Sequence, residues 1–557
     1  MPIHNHLRLG ILLTMLASAL IAALAEFQGG IFWYLLTLYD LPAAGALVVL
    51  LISGMLLASR LRGPELWADR LVLALDRTAP AIAVIVWMAL AWATVHVYKG
   101  HPLSMDEYAA YFQAQIFASG ELHGSFPPDL LDQLLPVGFQ NQFLMVNRTT
   151  GAVLSAYWPG FSLLLAPFVA AGVPWACNPM LVALSLIMIR CLARDATSWP
   201  QAPGWAMLLA LASPAFLING ITFYSMPAHL LLNLIYAWLL LSPTSGRLVV
   251  AGLVGGLALV LHNPFPHAVF ALPWLVWLVF RRERVLRNLL CIGLGYLPVV
   301  LTLGVGWMLW RHQLLFSGAT VAVAPLASTA AGDTTVLEQV SGLASRMIGY
   351  LRLPDESVLY ARLAGLIKLW LWASPLLLLL VWQGVRDSKA VATRLLAASA
   401  GLTFLAYFAI RFDQGHGWGY RYFHSAWGVL PVLGALGIAR LASTQHGGRS
   451  GLPILAGLSL AGLIVMNVLR LGQVGDFMTQ HLTQLPPAAE SGRAFIFVKL
   501  RGYYAADLVQ NDPWLRGNTV MLIARTRDAE KNLAERLVPY PRQILRNEFG
   551  ATYVVEP

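Results

Sequence analysis

Apolar runs of about 18 residues or more recur along this chain as far as residue 470. Each is long enough to cross roughly 30 Å of hydrocarbon. A chain built this way must satisfy its backbone polar groups inside helices or a closed barrel, and the length of the runs selects helices. Composition agrees. Of 557 residues, 58% are hydrophobic and 11% are charged, against about a quarter charged in soluble domains. The expected fold class is an all-α polytopic membrane bundle.

The net charge of +10 does not indicate a nucleic-acid partner. The basic residues sit in short loops between spans, where the positive-inside rule places them. Cys177, Cys191 and Cys291 lie in or beside apolar segments without metal or disulfide spacing,.

Spans are expected at about 9–25, 42–59 and 79–98. Arg60, Arg62, Arg70 and Arg77 mark a cytoplasmic loop between the second and third. Three later clusters belong on the same side: Arg281 to Arg287, Arg386 to Arg394, and Arg440 with Arg449. This puts segments 99–156, 312–360 and 413–425 and the tail outside. Parity then makes 157–172 a juxtamembrane or re-entrant helix opened by Pro159. The total is about thirteen spans, with the N-terminus inside and the C-terminus outside. The string LHNPFPH, 261–267, divides 248–280 into two short helices or a re-entrant hairpin, and either keeps the parity.

Three regions follow: two N-terminal spans with their loop, 1–78; a catalytic core, 79–472; and a tail, 473–557. In the tail, AFIFV (494–498), TVMLIA (519–524) and TYVVE (552–556) read as buried strands, and RDAEKNLAERL (527–537) as an amphipathic helix,. A small C-terminal α/β extracytoplasmic domain is expected. It has no glycine-rich phosphate loop.

Chemistry gathers in the outer loops. Asp106 and Glu107 open the helix-like string DEYAAYFQAQIFASGEL just after the third span. Carboxylates beside a bilayer are costly to desolvate and tend to be functional. One can accept a proton from an attacking hydroxyl. The second could hold a divalent metal ion or orient the first, and the need for a metal is left open. The structural alternative is a helix start, with Ser104 or Asp106 as cap and Glu107 at the positive end.

A second cluster, DQGHGWGYRYFHS, supplies His416, Tyr420, Arg421 and His424. Arg421 can hold a phosphate with two parallel hydrogen bonds, with His416 or His424 as further donors; the alternative is a headgroup anchor. Tyr157, Trp158, His229 and His262 are candidate substrate-binding residues. A buried histidine in a bundle more often serves an interhelical hydrogen bond than a ligand, so each alone is a weak signal.

The ordered motifs DEYAAYFQAQIFASGEL, YWPGFSLLLAPF, VPWACNPMLVALSLIMIRCLARD, FYSMPAHLLLNL, GLALVLHNPFPHAVFALPWLVW and GYRYFHSAWGVLPVLGALGIARL resemble the GT-C membrane glycosyltransferases. The likeness is nearest to bacterial RgtA/B/C/D-like members, which are related to protein O-mannosyltransferases and the lipid A aminoarabinose transferase. It covers about residues 79–442. It implies a polyprenyl-phosphate sugar donor and transfer at the outer face of the cytoplasmic membrane. It also implies an aspartate base in the first large outer loop, here Asp106 with Glu107 beside it. The acceptor would be a hydroxyl of a glycan, lipid or protein. The chain departs twice from the family pattern. Leu261-His262-Asn263-Pro264 stands where relatives carry Leu-x-Arg-Pro, and Trp158-Pro159-Gly160 where they carry Pro-Pro-Gly. A different class of function, a transporter or flippase for lipid-linked glycans or a non-catalytic envelope scaffold, would place its polar groups at mid-span.

Overall fold

A computed structural model describes residues 3–27, 30–60, 66–281, 284–316, 349, 353–410, 414, 417–443, 451–487, 492–537 and 542–554. His416, and most of the loop expected outside at 312–360, lie outside the described residues.

The apolar runs form helices, as their length requires. The helices used below are α1 (Ile3–Phe27), α2 (Leu41–Arg60), α3 (Ala79–His96), α4 (Met105–Ala118), α5 (Gly160–Ala170), α6 (Cys177–Ala196), α7 (Met226–Leu240), α8 (Ser245–Leu259), α9 (Phe265–Phe280) and α10 (Val285–Val299). Later in the chain come α11 (Glu356–Leu371), α12 (Leu377–Val385), α13 (Val429–Ser443), α14 (Asn467–Leu482) and α15 (Arg527–Leu537). Among the described residues, seven helices are long and apolar enough to cross a membrane, or nine if two bent pairs count as one span each. The expected number near thirteen is not reproduced. Much of the remaining apolar sequence forms helices too short to qualify, α5, α7, α8 and α9 among them. At 1.5 Å per residue α5 is only about 16 Å long, in keeping with a helix that does not cross.

Close helix approach is built on small residues. A Cβ on Gly252 in α8 would lie 2.0 Å from the Ile292 carbonyl oxygen of α10, and one on Gly295 would lie 2.1 Å from that of Val249. Gly384 of α12 and Gly437 of α13 repeat the arrangement, at 2.2 Å from Leu433 O and 2.0 Å from Leu380 O. Apolar tails gain no hydrophobic advantage over lipid, so such helices associate through backbone proximity and packing.

One buried ion cluster ties the first spans to the rest. Asp40, just before α2, accepts from Lys368 of α11 at 2.9 Å, Arg470 of α14 at 2.7 Å and the Trp372 indole at 2.6 Å. Asp40, Lys368 and Arg470 are all at most 3% exposed. Two cations on one carboxylate are tolerable here because other acceptors share the load: Arg470 also donates to Tyr39 O and Gln473,.

Two small sheets lie at the end of the molecule where α4 begins. The first, β1 (Gly124–Ser125), β2 (Leu144–Val146) and β3 (Ala152–Ser155), is antiparallel in the order β1-β3-β2. The second has the order β5-β4-β7-β6, from β4 (Ala494–Val498), β5 (Thr519–Ile523), β6 (Arg542–Asn547) and β7 (Gly550–Val554). The β4–β5 pair is parallel, bridged on the sequence side by an approach through 499–518, and β7 is antiparallel to both its neighbours. Three of the strands and α15 match the sequence expectation, β7 starting two residues earlier. β6, RQILRN, was not expected: it is an edge strand, and its charged ends suit an edge while hiding the alternation that marks a strand. Phe495, Phe497 and Leu522 of this sheet share one apolar cluster with Phe112, Phe126 and Leu131. The tail is therefore packed against α4 and the loop that follows it.

Candidate functional site

The helix α4 starts at Ser104, which has the extended backbone of an N-cap (φ −125°, ψ 164°), yet its side chain makes no cap bond. The hydroxyl instead pairs with Tyr224 OH at 2.9 Å. Asp106 and Glu107 follow in the first turn, about 100° apart around the axis, and they diverge completely.

Asp106 faces the 414–424 segment. Its Oδ2 accepts from Arg421 Nη1 at 2.7 Å, and its Oδ1 accepts from Tyr157 OH. The pair is partly open, with side-chain exposure of 24% for Asp106 and 14% for Arg421. Burial opposes ionisation of Asp106. The charge of Arg421, the neighbouring His262 and the two hydrogen bonds outweigh it, and the carboxyl is held below the usual range,.

Arg421 is fixed by more than its partner. Its Nη2 donates to Gln414 O at 2.6 Å, and its backbone N–H donates to Gln414 Oε1 at 2.8 Å. Gln414 Nε2 in turn donates to Gly419 O, at 3.0 Å. Gly419 has φ +80°, a left-handed conformation that lets the loop close,. The guanidinium carbon lies 4.8 Å from the centre of the Tyr224 ring, a cation–π contact.

Glu107 points the other way. It is 0% exposed, accepts from Tyr98 OH at 2.7 Å and from Phe223 N–H at 3.0 Å. Burial pushes its carboxyl up to about 7, against the pull of those hydrogen bonds. Its position beside Asp106 in the sequence does not place it beside Asp106 in space.

The two family-pattern departures meet each other. Trp158 N–H donates to His262 O at 3.1 Å, Gly160 N–H to Val260 O at 2.8 Å and Phe161 N–H to Leu261 O at 3.0 Å. The start of α5 thus satisfies the backbone at the break between α8 and α9. A Cβ on Gly160 would lie 2.7 Å from Val260 O, so the glycine permits this approach. The pairing stacks Tyr157 on His262, with ring centres 3.7 Å apart, and sets both beside Asp106. The Trp158 ring packs at Gly304 instead.

His229, on α7, is 2% exposed, and neither ring nitrogen has a hydrogen-bond partner among the described residues. His424 is equally buried, with Nε2 unpartnered. Tyr420 is buried with its ring against Gly365 and Phe404. The structure therefore joins Asp106, Arg421, Tyr157 and His262 in one contact set and places Glu107, Trp158 and Tyr420 outside it. Tyr224 and Gln414 belong to the site and were not expected. Tyr224 lay inside the quoted FYSMPAHLLLNL motif, but nothing in its spacing marked it.

Among the described residues, the groups around Asp106 do not make a divalent-metal site. Asp106 meets a guanidinium, a phenol and an imidazole, and the second carboxylate is turned away. Among the described residues no group of three or more His, Cys, Asp or Glu side chains could hold a metal ion.

No protein-family model matches the chain, and no curated protein matches its sequence. Solved structures do. The crystal structure of ArnT from Cupriavidus metallidurans bound to undecaprenyl phosphate is similar with a TM-score of 0.53 and 12% identity, over 86% of this chain and 98% of that one. ArnT from the same organism in the apo state gives a TM-score of 0.48 at 12% identity, over the same shares. ArnT is a GT-C glycosyltransferase. At this identity the likeness carries the architecture alone: the chain shares the membrane fold of the undecaprenyl-phosphate-bound ArnT structure.

Proposed function

We propose that this protein is a membrane glycosyltransferase that takes a sugar from a polyprenyl-phosphate donor and passes it to a hydroxyl of a glycan, lipid or protein, at the outer face of a bacterial cytoplasmic membrane. The observation that carries the reading is the Asp106–Arg421 pair, partly open and set at the sheet-bearing end of the helices. Support for the donor class comes from the fold shared with ArnT, whose structure holds undecaprenyl phosphate.

In this reading the acceptor oxygen attacks the anomeric carbon and its proton passes to Asp106. The bond from that carbon to the phosphate oxygen breaks, and the electron pair leaves with the phosphate. Arg421 stabilises the charge gained by the leaving group. In the resting site Arg421 is spent on Asp106, which lowers the basicity of the carboxylate. A phosphate competing for the guanidinium frees Asp106 and restores it as a base. Tyr157 then keeps the freed carboxylate oriented, and His262 and His229 offer ring nitrogens to the hydroxyls of the sugar. Glu107 acts as an anchor for the first turn of α4.

The transporter reading expects polar groups at mid-span. Asp106 lies ten residues beyond the end of α3 at His96, which favours an enzyme. The test is incubation of purified protein with a panel of polyprenyl-phosphate sugars and acceptors, read by mass spectrometry. Transfer from at least one donor is expected. Uptake of lipid-linked glycan into vesicles with no covalent product would support transport instead.

A further inference from the structure

The tail reaches the same turn of helix as Asp106. Asp507 Oδ1 accepts from the backbone N–H of Met105 at 2.7 Å, across 402 residues of sequence. Met105 is the first residue of α4, so its N–H is one of the four that a helix start leaves without an internal partner. An N-cap side chain ordinarily reaches the N–H of the second or third helical residue and leaves this first one to another acceptor. Here Ser104 occupies that position but gives its hydroxyl to Tyr224.

Two further contacts join the same pieces. Asn511 N–H donates to Tyr108 OH at 2.9 Å, and the phenol donates back to Asn511 O. Gln510 Nε2 donates to Pro102 O at 2.7 Å, just ahead of the helix. Asn511 is itself held in the sheet: its side chain donates to Met521 O at 2.9 Å and accepts from Met521 N–H at 2.8 Å, on β5. Asp507 is 8% and Asn511 4% exposed. A continuous set of bonds therefore runs from β5 through 507–511 to both sides of Asp106.

We infer that Asp507 is a positioning residue: it supplies the acceptor for the first N–H of α4, at a helix start where Ser104 makes no side-chain cap bond, and, with Asn511 braced on β5, fixes the first turn so that Asp106 meets Arg421. The capping claim stands on the geometry alone, whereas its consequence for catalysis rests on the proposed role of Asp106. Burial pushes the Asp507 carboxyl up to about 7, opposed by the Met105 N–H and reinforced by the charge of Asp106. Asparagine, which is neutral and keeps an acceptor oxygen, is therefore a close mimic.

The experiment is hydrogen exchange by mass spectrometry on the full-length protein in detergent. In Asp507→Ala the amides of the 103–110 peptide should exchange about two- to thirty-fold faster, the range expected from losing a cap. Peptides from α6 should keep their wild-type rates. Asp507→Asn should stay within about two-fold of wild type, and Tyr108→Phe, a milder change, should shift the same peptide in the same direction. Unchanged exchange at 103–110 in Asp507→Ala would overturn the inference, as would a uniform rise across all peptides or failure of Asp507→Asn to protect. In the transfer assay Asp507→Ala should lower kcat with donor KM little changed, and Asp507→Asn should restore it. Altered exchange with no transfer by the wild type would remove the proposed function and leave the cap in place. Altered exchange with full kcat would overturn the link to Asp106.

Discussion

Arg421 Nη1 and Asp106 Oδ2 lie 2.7 Å apart across 315 residues of sequence, and each is the other's charge partner. The proposed base is thus masked by the group proposed to bind phosphate. Arg421→Ala should weaken undecaprenyl-phosphate binding and lower transfer by roughly 100-fold or more, because the leaving phosphate gains charge in the transition state. Arg421→Lys keeps the charge but loses the planar fork, so it should remain clearly impaired. Donor affinity and turnover measured for both variants check this; unchanged values in Arg421→Ala would leave only a headgroup anchor.

Glu107 should behave as a structural group. Its pKa is about 7 in the folded protein, against about 4.3 for an unperturbed glutamate. The folded state therefore holds a proton that the unfolded state has lost. Its contribution is full below about pH 4.3 and is lost as pH rises to about 7. Glu107→Gln should flatten the dependence of thermal stability on pH across that window, while transfer falls by less than about ten-fold. A collapse of turnover in a well-folded Glu107→Gln protein would return Glu107 to the chemistry.

The sequence carried the membrane class, a helix start beside Asp106, the break at 261–267 and most of the tail, because periodicity and composition are local properties. Which carboxylate faces the site was not local. It depended on where Tyr98 and Phe223 lie, and two adjacent acidic residues look alike until those partners are placed. The pairing of 157–161 with 260–262 is made by backbone atoms and leaves no residue signature except Gly160. Asp507 sits in YAADLVQND without any motif, and its target is 402 residues away. Among the described residues, fewer helices are long and apolar enough to cross than the expected span number, because apolar runs alone do not tell a crossing helix from a short packed one.

The Asp40 cluster should be costly to open. Asp40→Ala leaves Lys368 and Arg470 buried without their carboxylate, a loss of about 3–5 kcal/mol for a broken buried pair. The melting temperature in detergent should fall sharply. A shift within about 0.5 kcal/mol of wild type, the range of an ordinary surface substitution, would mean that the cations are otherwise compensated.

By the positive-inside rule the arginine clusters lead us to expect the tail outside. Alkaline phosphatase fused after Pro557 should be active in the periplasm of a bacterial host. An inactive phosphatase, with an active cytoplasmic reporter at the same point, would reverse the orientation and the outer location of the site.

The most direct measurement is turnover of Asp106→Asn beside wild type, on a donor and acceptor that the wild type uses. Asparagine fills nearly the same space and still meets Arg421 and Tyr157, but it is a very poor base. The account expects transfer to fall by roughly 100-fold or more, with the folded protein still binding undecaprenyl phosphate. Near-normal turnover in a folded Asp106→Asn protein would contradict it.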